Sequence, residues 1–188
     1  MDLDTESTAR TRLVAELREH ALVIGEIVLA SGATAQYYVD AKRALLLPAG
    51  FNALAELVAA QAADWGATAV GGMTMGADPI ACAALAGGAP VKAFFVRKEV
   101  KQHGLSRRIE GPLLEPGERC MLVEDVVTTG GSTVRALEAL RAEGHEVCGV
   151  LAICDRLAGG AETIEREADA PFVALTTIDE VYPERPDR

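Results

Sequence analysis

Short, uniformly apolar runs alternate with helical patterns along most of this 188-residue chain, and that alternation constrains the fold most. The apolar runs cover 67–71, 91–96, 119–124, 146–153 and 172–175. Between them lie helical stretches at 76–86, 131–143 and 163–167. Strands without polar alternation are buried on both faces, which requires helices on each side of a parallel sheet. Aromatic residues make up only 4% of a chain that is 49% hydrophobic, so Val, Leu, Ile and Ala fill the core. No internal repeat and no linker interrupts the pattern, and the length suits one domain spanning 1–188.

The first part of the chain is different. Leu13, Val14, Leu17, Ala21 and Ile24 keep helical spacing and predict a helix over 7–24, with Ser7 or Thr8 as its cap. Residues 27–30 and 36–40, joined by Ser31-Gly32, read as a hairpin. Pro48 opens a second helix with Phe51, Leu54, Ala55, Val58 and Ala62 on its buried face. Residues 98–111 are polar and carry no period. The tail from 183 to 188 is expected to fray.

The formal net charge is −10. Nucleic acid and anionic membranes both need a positive face, so neither is an expected partner. No apolar run is long enough to cross a bilayer. Met1-Asp2-Leu3-Asp4 lacks the basic and apolar regions of a secretory signal, and a cytoplasmic protein is expected. Cys82, Cys120, Cys148 and Cys154 form no Cys-x-x-Cys pair, so buried, reduced thiols are expected.

The strongest local signal is Met121-Leu122-Val123-Glu124-Asp125-Val126-Val127-Thr128-Thr129-Gly130-Gly131-Ser132-Thr133. An apolar strand runs into two carboxylates, then a Thr/Gly/Ser turn, then a helix. Such a turn aims backbone N–H groups at an anion, with the helix N-terminus behind it. Thr128, Thr129, Ser132 and Thr133 add hydroxyl donors. Carboxylates repel phosphate, so Glu124 and Asp125 suit the vicinal hydroxyls of a sugar instead. A phosphate cup beside a diol acceptor reads as a ribose-5-phosphate site. It is not a Walker loop, because Gly-Lys-[Ser/Thr] is absent.

This segment is similar to the phosphoribosyl diphosphate (PRPP) motif of the type I phosphoribosyltransferases. Phe94-Phe95-Val96-Arg97-Lys98-Glu99-Val100-Lys101-Gln102-His103-Gly104 resembles the mobile catalytic loop of the orotate phosphoribosyltransferases. Leu29-Ala30-Ser31-Gly32 with Tyr37-Tyr38-Val39-Asp40, Gly71-Gly72 leading to Gly76-Ala77-Asp78-Pro79, and Asp155-Arg156 follow in that family's order. The basic loop itself concentrates Arg97, Lys98, Lys101, Arg107 and Arg108, five of 18 basic residues, in 12 positions. The departing diphosphate needs such a field.

The resemblance implies a parallel sheet flanked by helices, with a mobile loop and a small hood. The hood takes about 1–45 plus a C-terminal segment, and the core about 46–155. It implies Mg²⁺-dependent transfer from PRPP to orotate, giving orotidine 5′-monophosphate and diphosphate, in a homodimer with shared sites. PRPP would meet Arg97, Lys98, Lys101, His103, Glu124, Asp125, Val126, Val127, Thr128, Thr129, Gly130, Gly131 and Ser132. Lys101, His103 and Asp125 would be catalytic, and Arg97, Lys101 and His103 would act across the dimer. Thr128 and Arg156 would meet orotate, Arg156 through its carboxylate. Magnesium would be held through PRPP and water.

Tyr37 and Tyr38 suit either base stacking or core packing. The Gly71-Gly72-Met73-Thr74 turn matches the family's diphosphate loop. Two positions depart from the family pattern. Ala30 replaces a common lysine, and Thr74-Met75 replaces a common Tyr-Lys pair, leaving Lys42 or Lys92 to make up the charge. Two other readings share the PRPP motif. One is a phosphoribosyltransferase for another base. The other is a PRPP-sensing regulator, which the acidic balance and the full basic loop disfavour.

Overall fold

The computed structural model describes residues 3–28, 32, 34–99 and 108–188. Six strands form the main sheet. They are β3 (Ala69–Met73), β4 (Lys92–Val96), β5 (Ile109–Glu110), β6 (Arg119–Val127), β7 (Glu146–Asp155) and β8 (Phe172–Thr177). The spatial order is β5-β4-β3-β6-β7-β8, and every pairing except β4 with β5 is parallel. The α/β reading of the apolar runs therefore holds. The chain runs outward from β3 to β4, then returns to place β6 on the other side of β3. This creates a topological switch point at the carboxyl ends of β3 and β6, where open α/β sheets bind ligands.

Side-chain alternation along β6 divides the core. Met121 and Val123 join one cluster, with α1 (Leu3–Glu16), α3 (Pro48–Asp64) and α4 (Asp78–Ala86). Cys120 and Leu122 join the other, with α5 (Gly131–Ala142) and α6 (Gly160–Ala168). Glycine keeps β3 close to its neighbours. A Cβ at Gly71 would meet Phe94 O at 2.2 Å, and one at Gly72 would meet Val123 O at 2.2 Å. Gly71 and Gly72 thus lie inside β3, not in the expected turn, which begins at Thr74.

A separate antiparallel hairpin is built from β1 (Leu22–Val28) and β2 (Thr34–Val39). The helix expected over 7–24 ends sooner. A wide helical turn over Leu17–Ala21 follows α1, and Leu22, Val23 and Ile24 then pair with Val39, Tyr38 and Tyr37. Leu13, Leu17 and Ala21 are buried as expected, whereas Ile24 is 62% exposed on the hairpin. Residues 29–31 and 33, which contain Ala30 and Ser31, lie outside the described residues. The one-turn helix α2 (Lys42–Leu45) connects the hairpin to α3.

The tail is tied down rather than frayed. After α7 (Ile178–Val181), Arg185 pairs with Asp179 and, at 3.1 Å, with Asp187. The Tyr37 hydroxyl donates to Asp187 at 3.0 Å. Cys120 and Cys154 are buried, Cys148 is half-buried, and Cys82 is exposed, contrary to expectation; all four thiols are free. Burial pushes the Cys120 thiol up to about 12 and that of Cys154 to about 11, which keeps both protonated. No helix among the described residues is long and apolar enough to cross a membrane.

Candidate active site

The expected strand end at residue 124 falls three residues early. β6 continues to Val127, so Glu124 and Asp125 sit within the strand at the switch point. Glu124 is 5% exposed. Its Oε2 accepts from Ser132 Oγ at 2.5 Å and from Thr133 Oγ1 at 3.2 Å, both at the start of α5. Burial pushes its carboxyl up to about 7, with the neighbouring Asp125 charge adding to the rise and the two hydroxyls opposing it. Asp125 faces the open side. Its Oδ1 accepts from Val126 N at 2.9 Å, and its Oδ2 accepts from Lys42 Nζ at 3.3 Å.

Thr128 and Thr129 are exposed in the turn between β6 and α5. Gly130 enters α5 with φ +80°, a conformation glycine adopts without steric cost. A Cβ there would also meet Ile164 Cγ1 at 2.9 Å, so α6 fixes the back of the turn. Gly131 and Ser132 begin the helix with the positive end of its dipole behind them. Val126 and Val127 are the last two residues of β6. They pair with Cys154 and Asp155, and Val127 O accepts from Arg156 N at 2.8 Å.

A cleft of 230 Å³ opens over these groups, lined by Tyr38, Lys42, Thr74, Lys98, Asp125 and Ser132 among others. Its far wall is the Thr74–Gly76 turn, where the Thr74–Met75 peptide is cis. Thr74 Oγ1 donates to Asp78 Oδ2 at 2.7 Å. A Cβ on Gly76 would meet Asp125 Oδ1 at 2.4 Å, so this glycine makes room for the carboxylate. A second hollow, of 550 Å³, shares Thr74 and Lys98 and adds Arg97 and Glu110. Arg97 N donates to Arg108 O at 2.9 Å, and Arg108 Nε donates to Arg97 O at 3.1 Å. The two stalks of the basic loop are joined there. Lys101 and His103 lie outside the described residues.

Arg156 follows β7 and turns beneath the hairpin. Its guanidinium carbon lies 4.6 Å from the Tyr37 ring centroid, and its Nη2 donates to the Tyr37 hydroxyl at 2.9 Å. Its Nε is buried without a hydrogen-bond partner. Tyr37 is thus core-buried against Arg156, and Tyr38 faces the cleft. Of the two candidate replacement cations, Lys42 reaches the site. Lys92 pairs with Glu118 at the amino end of the sheet. Sequence reasoning gave Asp40 no role within its motif, and it missed Asp187 and the contact of Thr133 with Glu124. Only the Asp40-x-Lys42 spacing offered a local signal. Among the described residues, no group of three His, Cys, Asp or Glu side chains is arranged to hold a metal ion.

Residues 48–178 match the model of the phosphoribosyl transferase domain. An orotate phosphoribosyltransferase of Corynebacterium glutamicum (strain R) is 44% identical over 174 residues, covering 92% of this chain and 94% of the relative. The chain belongs to the orotate phosphoribosyltransferase family. The crystal structure of Mycobacterium tuberculosis H37Rv orotate phosphoribosyltransferase in complex with Fe(III) dicitrate is similar, with a TM-score of 0.83 and 39% identity. That match covers 93% of this chain and 99% of the other. The same mycobacterial enzyme in complex with PRPP matches with a TM-score of 0.78 and 35% identity, over 92% of this chain and 98% of that one. The hairpin, α2 and the tail beyond residue 178 lie outside the domain-model match. This orotate phosphoribosyltransferase family member therefore brings Tyr37, Lys42 and Asp187 to the site from outside that span.

Proposed function

We propose that this chain transfers the phosphoribosyl group of PRPP to orotate, yielding orotidine 5′-monophosphate and diphosphate in pyrimidine nucleotide synthesis. The observation that carries this reading is the acid pair Glu124-Asp125 beside the Thr128–Ser132 turn at the switch point of a chain in this family. The turn receives the 5-phosphate through backbone N–H groups and the hydroxyls of Thr128 and Thr129. Glu124 and Asp125 accept the ribose hydroxyls, and Asp125 assists proton movement. The hairpin and tail serve as the hood over the core.

In the reaction the bond from the anomeric carbon to the diphosphate oxygen breaks, with the electron pair leaving on the diphosphate, and the base nitrogen bonds to that carbon as its proton is released. Positive charge develops on the ribose ring and negative charge on the leaving diphosphate. Fixed cations that meet this charge lower the barrier. Lys98 supplies one, and Arg97, Lys101 and His103 supply others across a homodimer interface. Arg156 pairs with the orotate carboxylate, its plane held by Tyr37 and its buried Nε left without a protein partner. Thr128 is assigned to the same base. Magnesium would be held mainly through the diphosphate and water rather than by protein side chains, and would supply neutralisation of phosphate charge. The protein works in the cytoplasm.

The test is Arg156→Ala. Its KM for orotate should rise about tenfold or more, while that for PRPP stays within about threefold; tenfold corresponds to about 1.4 kcal/mol of lost binding. Equal rises for both substrates, or none, would place base recognition elsewhere.

A further inference from the structure

The cleft poses an electrostatic problem. Glu124 and Asp125 line it, yet the proposed substrate is a polyanion. The Asp125 carboxylate, joined by Glu124 as its raised carboxyl ionises, would repel that substrate unless compensated. The far wall offers little relief. Thr74 Oγ1 is committed to Asp78, and the Met75 side chain, 69% exposed, carries no charge. Among the described residues lining the cleft, the cations are Lys98 and Lys42. Lys98 sits exposed at the start of the loop stalk, whereas Lys42 is anchored in α2.

Lys42 is preorganised. Its Nζ lies 2.7 Å from Asp40 Oδ1, at the end of the hairpin, and 3.3 Å from Asp125 Oδ2, in the sheet. Its side chain is only 30% exposed. Desolvation favours the neutral amine, but the two carboxylates outweigh it, and the pKa is raised. Lys42 is therefore a cation at neutral pH. An ammonium has three N–H donors. Asp125 takes one and Asp40 lies beside another, which leaves a donor for the cleft. A ribose hydroxyl donating to Asp125 would compete for its oxygens and release more of that ammonium.

We propose that Lys42 is a substrate-binding residue, a fixed cation that receives the diphosphate of PRPP beside the Asp125 carboxylate. This rests on reading the cleft as the PRPP site. It assigns to a residue outside the 48–178 domain match the positive charge that the Thr74-Met75 turn lacks.

The test compares binding of PRPP with Mg²⁺ and of ribose 5-phosphate by titration calorimetry. The ligands share the 5-phosphate and ribose and differ in the diphosphate. Lys42→Met and the polar Lys42→Gln should each weaken PRPP about tenfold or more, as for a lost charge-assisted contact, and ribose 5-phosphate by less than about twofold. Lys42→Arg should recover most of the PRPP affinity. Two neutral variants keep the result readable if one folds poorly. Equal losses for both ligands would overturn the proposal, because Lys42 would then act through Asp125 or the hairpin. Unchanged PRPP binding in both neutral variants would overturn it outright. Failure of the unsubstituted protein to bind PRPP would instead overturn the site reading beneath it.

Discussion

Asp187 and Arg156 share one hydroxyl: Tyr37 donates to the Asp187 carboxylate at 3.0 Å and accepts from Arg156 Nη2 at 2.9 Å. The carboxylate stands 3.8 Å from the guanidinium nitrogen. A tail carboxylate thus lies near the arginine proposed to meet the orotate carboxylate, and on that proposal the two anions would compete for it. Asp187→Asn should lower the KM for orotate by about two- to fivefold, in the range of a weak, half-exposed ion pair. The KM for PRPP should not move. Steady-state kinetics with each substrate varied in turn checks this, and an unchanged orotate KM would separate the tail from base binding.

Glu124 binds its proton more tightly folded than unfolded, because burial raises its carboxyl from 4.5 to about 7. Its stabilising contribution is full below about pH 4.5 and is lost as the pH rises to about 7. Glu124→Gln should therefore gain stability relative to the parent across that window, by at most about 1.4 kcal/mol per pH unit. Urea unfolding of both proteins at pH 5, 6, 7 and 8 measures the difference. A difference independent of pH would contradict the buried-acid description.

Gly130 carries two demands at once, a positive φ and contact with α6. Gly130→Ala should cost about 1–3 kcal/mol of stability, the range for a strained backbone position. It should also weaken ribose 5-phosphate binding, since the turn's N–H groups shift. Denaturation and calorimetry on the same preparation would show both effects. Retained phosphate affinity would remove this turn from the phosphate site.

Much of this site was legible because its parts are contiguous. The strand, acid pair, Thr/Gly/Ser turn and helix occupy one stretch, 119–142, and their order in sequence fixes their order in space. The sheet followed from apolar runs that tolerate no solvent face. The hairpin was harder. Leu22, Val23 and Ile24 fit a helical stripe as well as a strand, and only pairing with 37–39 decides between them. Lys42 lies 83 residues from Asp125, and Asp187 lies 150 from Tyr37. No local pattern encodes contacts made when the hairpin and tail close on the sheet. The tail looked free because its Pro and charged residues predict no element, yet Arg185 pairs with both Asp179 and Asp187.

Lys101→Ala should reduce kcat by about a hundredfold or more with little effect on the KM for PRPP, as expected when a charge acts mainly in the transition state. In mixed dimers with Arg156→Ala subunits, one site regains both groups if the loop works across the interface. Activity should then return in verified heterodimers. Absence of recovery would confine the loop to its own subunit.

The most direct measurement mixes the protein with PRPP, Mg²⁺ and orotate and follows the loss of orotate absorbance, with uracil, adenine and hypoxanthine in parallel. Turnover of orotate alone, with orotidine 5′-monophosphate as product, is the predicted result. Turnover of another base in its place, or PRPP binding without turnover of any base, would contradict it.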